Sequence, residues 1–258
     1  MTDKLKFKML SRHIGELVIS QPERRNALNA EMWAALPEVL DQARKVQDLK
    51  TLIVRGDGDH FAAGADISEF ETLYATPQSA QMISEHIAKG FKALADFPLP
   101  TLALIRGACV GGGCGLALCC DLRFADQTAR FAITPAKLGL VYPFADVQRL
   151  IETVGIAHAK DILFSARLLD SEQAQKMGLI KAVFPDSELE SEVMSYAENL
   201  CALSTQSAII TKKMFAAYQS GQYGENAQSM QWFLDGFSSR DFKEGYTAFL
   251  AKRKPDFG

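Results

Sequence analysis

Short apolar strands alternate with amphipathic helices over the first two-thirds of the chain. Residues 14–19 (Ile-Gly-Glu-Leu-Val-Ile) alternate well enough for a half-buried strand. Asn29 offers a helix cap, Glu31 an acidic first turn, and Met32, Leu36, Val39 and Leu40 an apolar stripe at helical spacing. Residues 51–54 predict a short buried strand ending at Gly56-Asp57-Gly58. Residues 79–95 predict a second helix, and a strand restarts at 101–105 after Pro98-Leu99-Pro100. The apolar run 116–120 reads as a buried helix beginning at the triple glycine of 111–113. Strand, glycine-rich or polar loop, and helix recur, which predicts mixed α/β architecture with loops gathered at one end of the strands. From about Ser187 no strand is evident. Helical spacing runs through 188–203, 207–218 and 224–233, with a last helix after Ser238-Ser239. Helices of that kind must bury their apolar faces on something other than their own sheet. The sequence shows no linker, internal repeat or low-complexity segment.

Two segments consist of residues too small for side-chain chemistry: Phe61-Ala62-Ala63-Gly64-Ala65-Asp66-Ile67 and Gly107-Ala108-Cys109-Val110-Gly111-Gly112-Gly113-Cys114-Gly115. What such segments offer is backbone, because a ligand can approach closely and free N–H groups become donors. Two donors from separate segments meeting on one carbonyl oxygen would stabilise the negative charge that develops there. A helix starting at the triple glycine adds unpaired amides and partial positive charge. A lone triple glycine is more often a turn or a close-packing device; the pairing and order of the two segments carry the functional reading.

The 258 residues suffice for one sizeable core with an appended helical segment, or for two small domains. A net charge of −3 gives no basic face for nucleic acid; Lys252-Arg253-Lys254 reads as a solvated tail. Residues 1–10 do not resemble a leader and no apolar stretch is long enough to cross a bilayer, so a cytoplasmic protein is expected. Four of the 5 cysteines crowd into 109–120 without zinc or disulfide spacing, which predicts reduced, buried thiols. His13, His60, His86 and His158 form no ligand set, so no metal is expected, and no Ser-His-Asp or Cys-His arrangement is recognisable.

Both small-residue segments resemble the crotonase superfamily, the enoyl-CoA hydratase/isomerase family. Further resemblance lies in Pro22-Glu23-Arg24-Arg25-Asn26-Ala27-Leu28-Asn29, Lys137-Leu138-Gly139-Leu140, Gln148-Arg149-Leu150, Ala174-Gln175-Lys176-Met177-Gly178-Leu179-Ile180, and the tail from Lys243 to Pro255. The resemblance implies an α/β spiral of ββα units in residues 1–190, carrying the site. It implies a C-terminal helical oligomerisation segment in 191–258, packed in a homotrimer or a dimer of trimers. It also implies an acyl-CoA thioester as substrate, with coenzyme A as part of that substrate and no covalently bound cofactor.

Carried onto this chain, the resemblance implies that the N–H groups of Ala63 and Gly112 form the oxyanion hole. Ala63, Ala65, Asp66 and Ile67 are then binding positions. Asp66 is read as a helix cap or loop-ordering residue in preference to a general base. Arg24, Arg25 and Ala27 fall where the family contacts coenzyme A, and paired guanidinium groups suit a phosphate-bearing ligand. Phe249 and Lys252 match positions that reach coenzyme A bound in an adjacent subunit.

The departures decide the chemistry. Hydratases of the family carry two glutamates; this chain has Gly115 and Pro135 in those places, and Pro143 where isomerases keep an acid. Addition of water needs a positioned base and acid, so standard hydration is not expected. Thr134-Pro135, Leu138-Gly139 and Tyr142 resemble the methylmalonyl-CoA decarboxylase branch, although that branch has a glutamate where Gly115 stands. Losing carbon dioxide from a malonyl-type thioester needs no base, and Tyr142 would orient the carboxylate or return a proton. Against this, a tyrosine in an apolar loop is more often a packed ring with its hydroxyl satisfied. Asp146 is either a helix N-cap or a base for double-bond isomerisation. The expectation is an enolate-forming lyase or isomerase on acyl-CoA. The alternatives are conventional enoyl-CoA hydration and a non-catalytic acyl-CoA-binding homologue; RNA binding is disfavoured by the charge.

Overall fold

The molecule was described from a computed structural model, which covers residues 2–258. β1 (Leu5–Met9) and β2 (Ile14–Ile19) form an antiparallel hairpin, with Leu5 opposite Ile19. In chain order there follow α1 (Ala30–Arg44), β3 (Thr51–Gly56), a short α2 (Phe70–Leu73), α3 (Pro77–Ala95) and β4 (Thr101–Ile105). Next come β5 (Ala108–Val110), α4 (Gly112–Cys119), β6 (Leu122–Asp126), β7 (Arg130–Ala132) and α5 (Phe144–Ser165). The chain continues with β8 (Leu169–Asp170), α6 (Ser171–Lys176) and β9 (Ala182–Phe184). It closes with α7 (Asp186–Cys201), α8 (Thr205–Gln219), α9 (Ala227–Phe237) and α10 (Arg240–Leu250).

The main sheet has the order β1-β2-β3-β4-β6-β9 and is parallel beyond the first hairpin. A second, three-stranded sheet, β5-β7-β8, is joined to the small-residue loop through a bridge between Ala62 and Cys109. Parallel strands need both faces covered, and successive residues of β3 show how this is done. Leu52 and Val54 join the core under α1, α3 and α4, whereas Ile53 points the other way, against Leu189, Val193 and Ala197 of α7.

α1 has the expected cap: the Asn29 side chain accepts from the Met32 N–H at 2.9 Å. The helix buries Met32, Trp33, Leu36, Val39 and Leu40, each of the larger side chains contributing about 1.5–3 kcal/mol. α3 starts two residues earlier than expected, because Thr76 and Ser79 form a reciprocal capping box. The helix expected at the triple glycine is α4, buried from Gly113 onward. The hairpin strand β1 is among the elements not read from periodicity, since only Leu5 of its five residues is buried; β5–β9, α5 and α6 are others.

One boundary moves. α7 runs unbroken across residue 190 and packs on β2, β3, β4, β6 and β9. The body that holds the sheet therefore extends through α7; α8 follows with no fully buried residue of its own, held to that body through Ile209 and through Lys212, which donates to Leu99 O and Asp121. In α8–α10, Phe215, Phe233, Phe237, Phe242, Tyr246, Phe249 and Leu250 are all exposed. Four of them form a ladder, Phe233–Phe237–Phe242–Tyr246, at centroid spacings of 5.2, 5.4 and 5.5 Å, the first two contacts edge-on and the third tilted. No helix of the described residues is long and apolar enough to cross a membrane. The cysteines are free, those at 109–120 buried; burial pushes the Cys119 thiol up to about 12 and keeps it unreactive.

Candidate active site

The loop of residues 61–66 is stitched along both sides. Ala62 donates its N–H to Ala108 O at 2.9 Å and accepts from Val110 N–H at 3.0 Å, while Leu28 N–H donates to Gly64 O at 2.7 Å and Asp66 N–H to Leu28 O at 2.9 Å. That register decides which amide is left over. Ala63 N–H donates to the Arg25 carbonyl at 2.9 Å and is spent inside the fold. The oxyanion role expected of Ala63 is therefore corrected: its donor already has an acceptor. Ala65 N–H has no acceptor among the described residues and faces α4, lying 3.6 Å from the point a Cβ on Gly112 would occupy. Gly112 is the first residue of α4, so its own N–H has no intrahelical acceptor. A Cβ on Gly64, whose φ is +101°, would stand 3.3 Å from Gly112 N and 2.9 Å from Val110 O. Only glycine permits that backbone and that approach. Two free amides, Ala65 and Gly112, thus flank one small space at a helix N-terminus. The signal in the sequence was the segment; the particular amide is a matter of hydrogen-bond register.

The remaining wall is set by Gly115. A Cβ there would meet Phe91 Cζ at 2.7 Å and Tyr142 Oη at 2.8 Å, so these two side chains take the room an acidic side chain at this position would need. The Tyr142 hydroxyl is buried and has no hydrogen-bond partner among the described residues; burial pushes its pKa well above 10, so it stays protonated. Pro135 opens a single 3-10 turn, Pro135–Leu138, closed by Gly139. Pro143, not Asp146, is the N-cap residue of α5, which overturns the capping expectation for Asp146. Asp146 sits buried in the first turn and accepts from Arg149 Nη1 at 2.9 Å. Burial raises its pKa, with Arg149 pulling against that. A carboxylate so engaged supports the wall; Tyr142 is the group that reaches Gly115.

Asp66 is structural. Its carboxylate accepts from Ser68 N–H at 3.0 Å, capping the turn Ile67–Glu69, and from Arg24 Nη1 at 2.8 and 2.7 Å; Arg24 also touches Ser68 Oγ. Burial opposes ionisation, but the Ser68 and Arg24 contacts outweigh it and hold the carboxyl below 3.8. A depressed acid contributes stability above its ordinary pKa and loses it as pH falls through the folded value. Asp66→Ala is expected to cost about 1 kcal/mol at pH 7 in urea unfolding, mainly the cap, since half-exposed Arg24 is screened. The difference from wild type should vanish as pH falls below 3.8.

Arg25 is exposed at the turn, Ala27 is buried and Ile67 is 64% exposed at the mouth of the loop. Phe249 and Lys252 lie at the far end of α10, which packs on α9; neither shares a hydrogen bond with the loops above. His60 is a turn residue, accepting from Ala108 N–H at 3.1 Å. No group of three or more His, Cys, Asp or Glu able to hold a metal exists among the described residues.

In this α/β body the two small-residue segments bring the Ala65 and Gly112 amides to one small space beside the start of α4. The chain matches the enoyl-CoA hydratase/isomerase family over residues 10–258 and belongs to it. It is 34% identical over 249 residues to the crotonyl-CoA hydratase of Syntrophomonas wolfei, covering 93% of each chain. To the 2,3-dehydroadipyl-CoA hydratase of Escherichia coli it is 31% identical over 246 residues, again covering 93% of each. The solved structure of an enoyl-CoA hydratase/isomerase family protein from Hyphomonas neptunium superposes with a TM-score of 0.95 at 41% identity, covering 99% of this chain and 97% of that one. The crotonase fold expected from the sequence is the fold observed.

Proposed function

We propose that this protein transforms an acyl-CoA thioester through an enolate, with the thioester oxygen held by the Ala65 and Gly112 amides. The observation that carries this reading is the pair of amides, Gly112 at the start of α4 and Ala65 in the loop beside it, that have no acceptor among the described residues. Fixed donors aimed at a developing oxyanion stabilise it without reorganisation. The relatives named above are hydratases, but the two-glutamate mechanism has no residues here, since Gly115 and Pro135 stand in those places. Phe91 and Tyr142 fill the room beside Gly115. These observations favour decarboxylation of a malonyl-type thioester over double-bond isomerisation.

In that reaction the bond between the α-carbon and the carboxylate carbon breaks, carbon dioxide leaves, and the electron pair enters the enolate. The Tyr142 hydroxyl, kept protonated by burial, then delivers a proton to the α-carbon, and the phenolate is reprotonated by water admitted as the product leaves. Asp146 and Arg149 position the Tyr142 loop, and Arg25, Ala27 and Ile67 line the approach of coenzyme A.

Mass spectrometry in deuterated water tests the reading. Methylmalonyl-CoA should lose carbon dioxide and gain one deuteron at the α-carbon, with crotonyl-CoA unhydrated. Hydration of crotonyl-CoA at enzymatic rates would overturn it, and deuterium exchange with a shifted double bond in a 3-enoyl-CoA would favour isomerisation.

We further propose that the exposed faces of α8–α10 are covered by neighbouring copies, which brings Phe249 and Lys252 to a neighbour's coenzyme A. Light scattering should then give a mass of three or six chains; a monomer would sink this part alone.

A further inference from the structure

Two buried donors beside α4 have no acceptor among the described residues. Trp33 Nε1–H and Tyr142 Oη–H are both closed off from solvent and both unpartnered among the described residues. An unpaired buried donor costs about as much as a broken hydrogen bond, and native proteins retain few of them. Both line the same wall. The Trp33 edge atoms Cζ2 and Cη2 stand 3.2 and 3.5 Å from the Cβ point of Gly112, the point that also lies 3.6 Å from Ala65 N. Cζ2 is two covalent bonds from Nε1. Tyr142 Oη stands 2.8 Å from the Cβ point of Gly115, three residues along the helix. Phe91 links the two, its ring edge-packed on Trp33 at 5.4 Å and its Cζ 2.7 Å from the Gly115 point.

Trp33 also borders a narrow cavity with Leu28, Ala65, Phe70, Ile83 and Ile87. The two carboxylates on that cavity are already engaged: Asp66 by Arg24 and Ser68, and Glu69 by the Ala30 N–H at 2.8 Å. A plain hydrocarbon acyl chain would leave both orphan donors unpaired in a dry wall, where the penalty is greatest.

We infer that the acyl group of the substrate carries an oxygen function beyond the thioester carbonyl, and that Trp33 selects it by donating Nε1–H to that oxygen. This rests on the acyl-CoA reading above and narrows it to a substrate class: carboxylated, keto or hydroxy acyl-CoA rather than a simple saturated or enoyl one. Tyr142 supplies the second donor to the same end of the acyl group.

The test is calorimetric binding of four ligands with four-carbon acyl groups to the full chain: butyryl-, 3-hydroxybutyryl-, acetoacetyl- and succinyl-CoA. At least one oxygen-bearing ligand should bind about tenfold or more tighter than butyryl-CoA, the scale of one buried hydrogen bond, and which one identifies the oxygen function. Trp33→Phe, which keeps an aromatic ring without the donor, should bring the ratio between that ligand and butyryl-CoA to about one. Equal binding of all four by wild type, or equal weakening of all four by Trp33→Phe, overturns the inference and leaves the acyl-CoA reading standing. Binding of none of the four overturns the acyl-CoA reading itself. Should Trp33→Phe not fold, the wild-type indole N–H resonance serves, assigned with Trp232→Phe because the chain has 2 tryptophans. It should move downfield with the preferred ligand and not with butyryl-CoA; no movement with any bound ligand overturns the inference.

Discussion

Gly113→Ala should abolish turnover. The added Cβ would stand 2.1 Å from Ala62 O, 2.8 Å from Ala62 C and 2.9 Å from Ala62 Cβ, and the first two of these are backbone atoms that cannot rotate away. Relief requires α4 and the loop of residues 61–66 to separate, and the separation falls between the two segments that carry the Ala65 and Gly112 amides. Overpacking of this kind costs about 1–3 kcal/mol of stability. Misplacing even one oxyanion donor costs about 10²–10³-fold in kcat, and here both move, so a loss of at least about 10³-fold is expected. Gly236→Ala is the control: nothing lies within 4 Å of its Cβ position in α9. Helix propensity predicts a gain of up to about 1 kcal/mol there, with activity unchanged. Thermal unfolding and steady-state kinetics on both variants decide the matter. An active Gly113→Ala enzyme would show that the contact between loop and helix does not carry the chemistry.

Tyr142→Phe should move stability and activity in opposite directions. The hydroxyl is buried without a partner, so deleting it removes an uncompensated desolvation cost and should raise stability by about 1 kcal/mol. As the proposed proton donor, its loss should lower kcat by about 10²-fold, the lower end of general acid catalysis. The change in kcat separates a functional hydroxyl from a packed ring, because a ring that only packs would show the gain in stability with kcat unchanged. The sign of the pKa shift adds a second readout. Burial raises the phenol above 10, so it stays protonated throughout the working range and produces no alkaline fall in rate below pH 10. Unchanged kinetics in Tyr142→Phe would remove Tyr142 from the mechanism. A restored glutamate, Gly115→Glu, should not create a hydratase by itself, since Phe91 and Tyr142 hold the room its side chain needs.

Much of the fold was legible because burial leaves a periodic trace. The stripe Met32, Leu36, Val39, Leu40 declared α1, the apolar run after the triple glycine declared α4, and the caps Asn29 and Ser239 lie where helix starts require them. β1 was illegible for the complementary reason: an edge strand with one buried residue leaves no alternation to read. The division at residue 190 failed because α7 looks like the helices after it. Only its packing against β2, β3, β4, β6 and β9 assigns it to the sheet-bearing body.

The candidate site divides in the same way. That two glycine-and-alanine segments would present backbone rather than side chains, that Gly115 and Pro135 carry no proton, and that Asp66 would cap a turn all follow from residue type and order. Which amide is free does not. Ala63 and Ala65 are chemically the same residue two positions apart, and only the bond from Ala63 N–H to Arg25 O, across a turn 38 positions away in sequence, leaves the task to Ala65. Likewise nothing local to Phe91 or Tyr142 says that they fill the space beside Gly115, and nothing local to Trp33 says that its indole lacks an acceptor. Sequence by itself determined the family, the α/β class and the elements with a strong periodic trace, because these depend on motif order and on the spacing of apolar residues. Tertiary structure alone decided which donors remain unpaired, because satisfaction of a buried hydrogen-bonding group depends on neighbours that the chain brings together from distant positions.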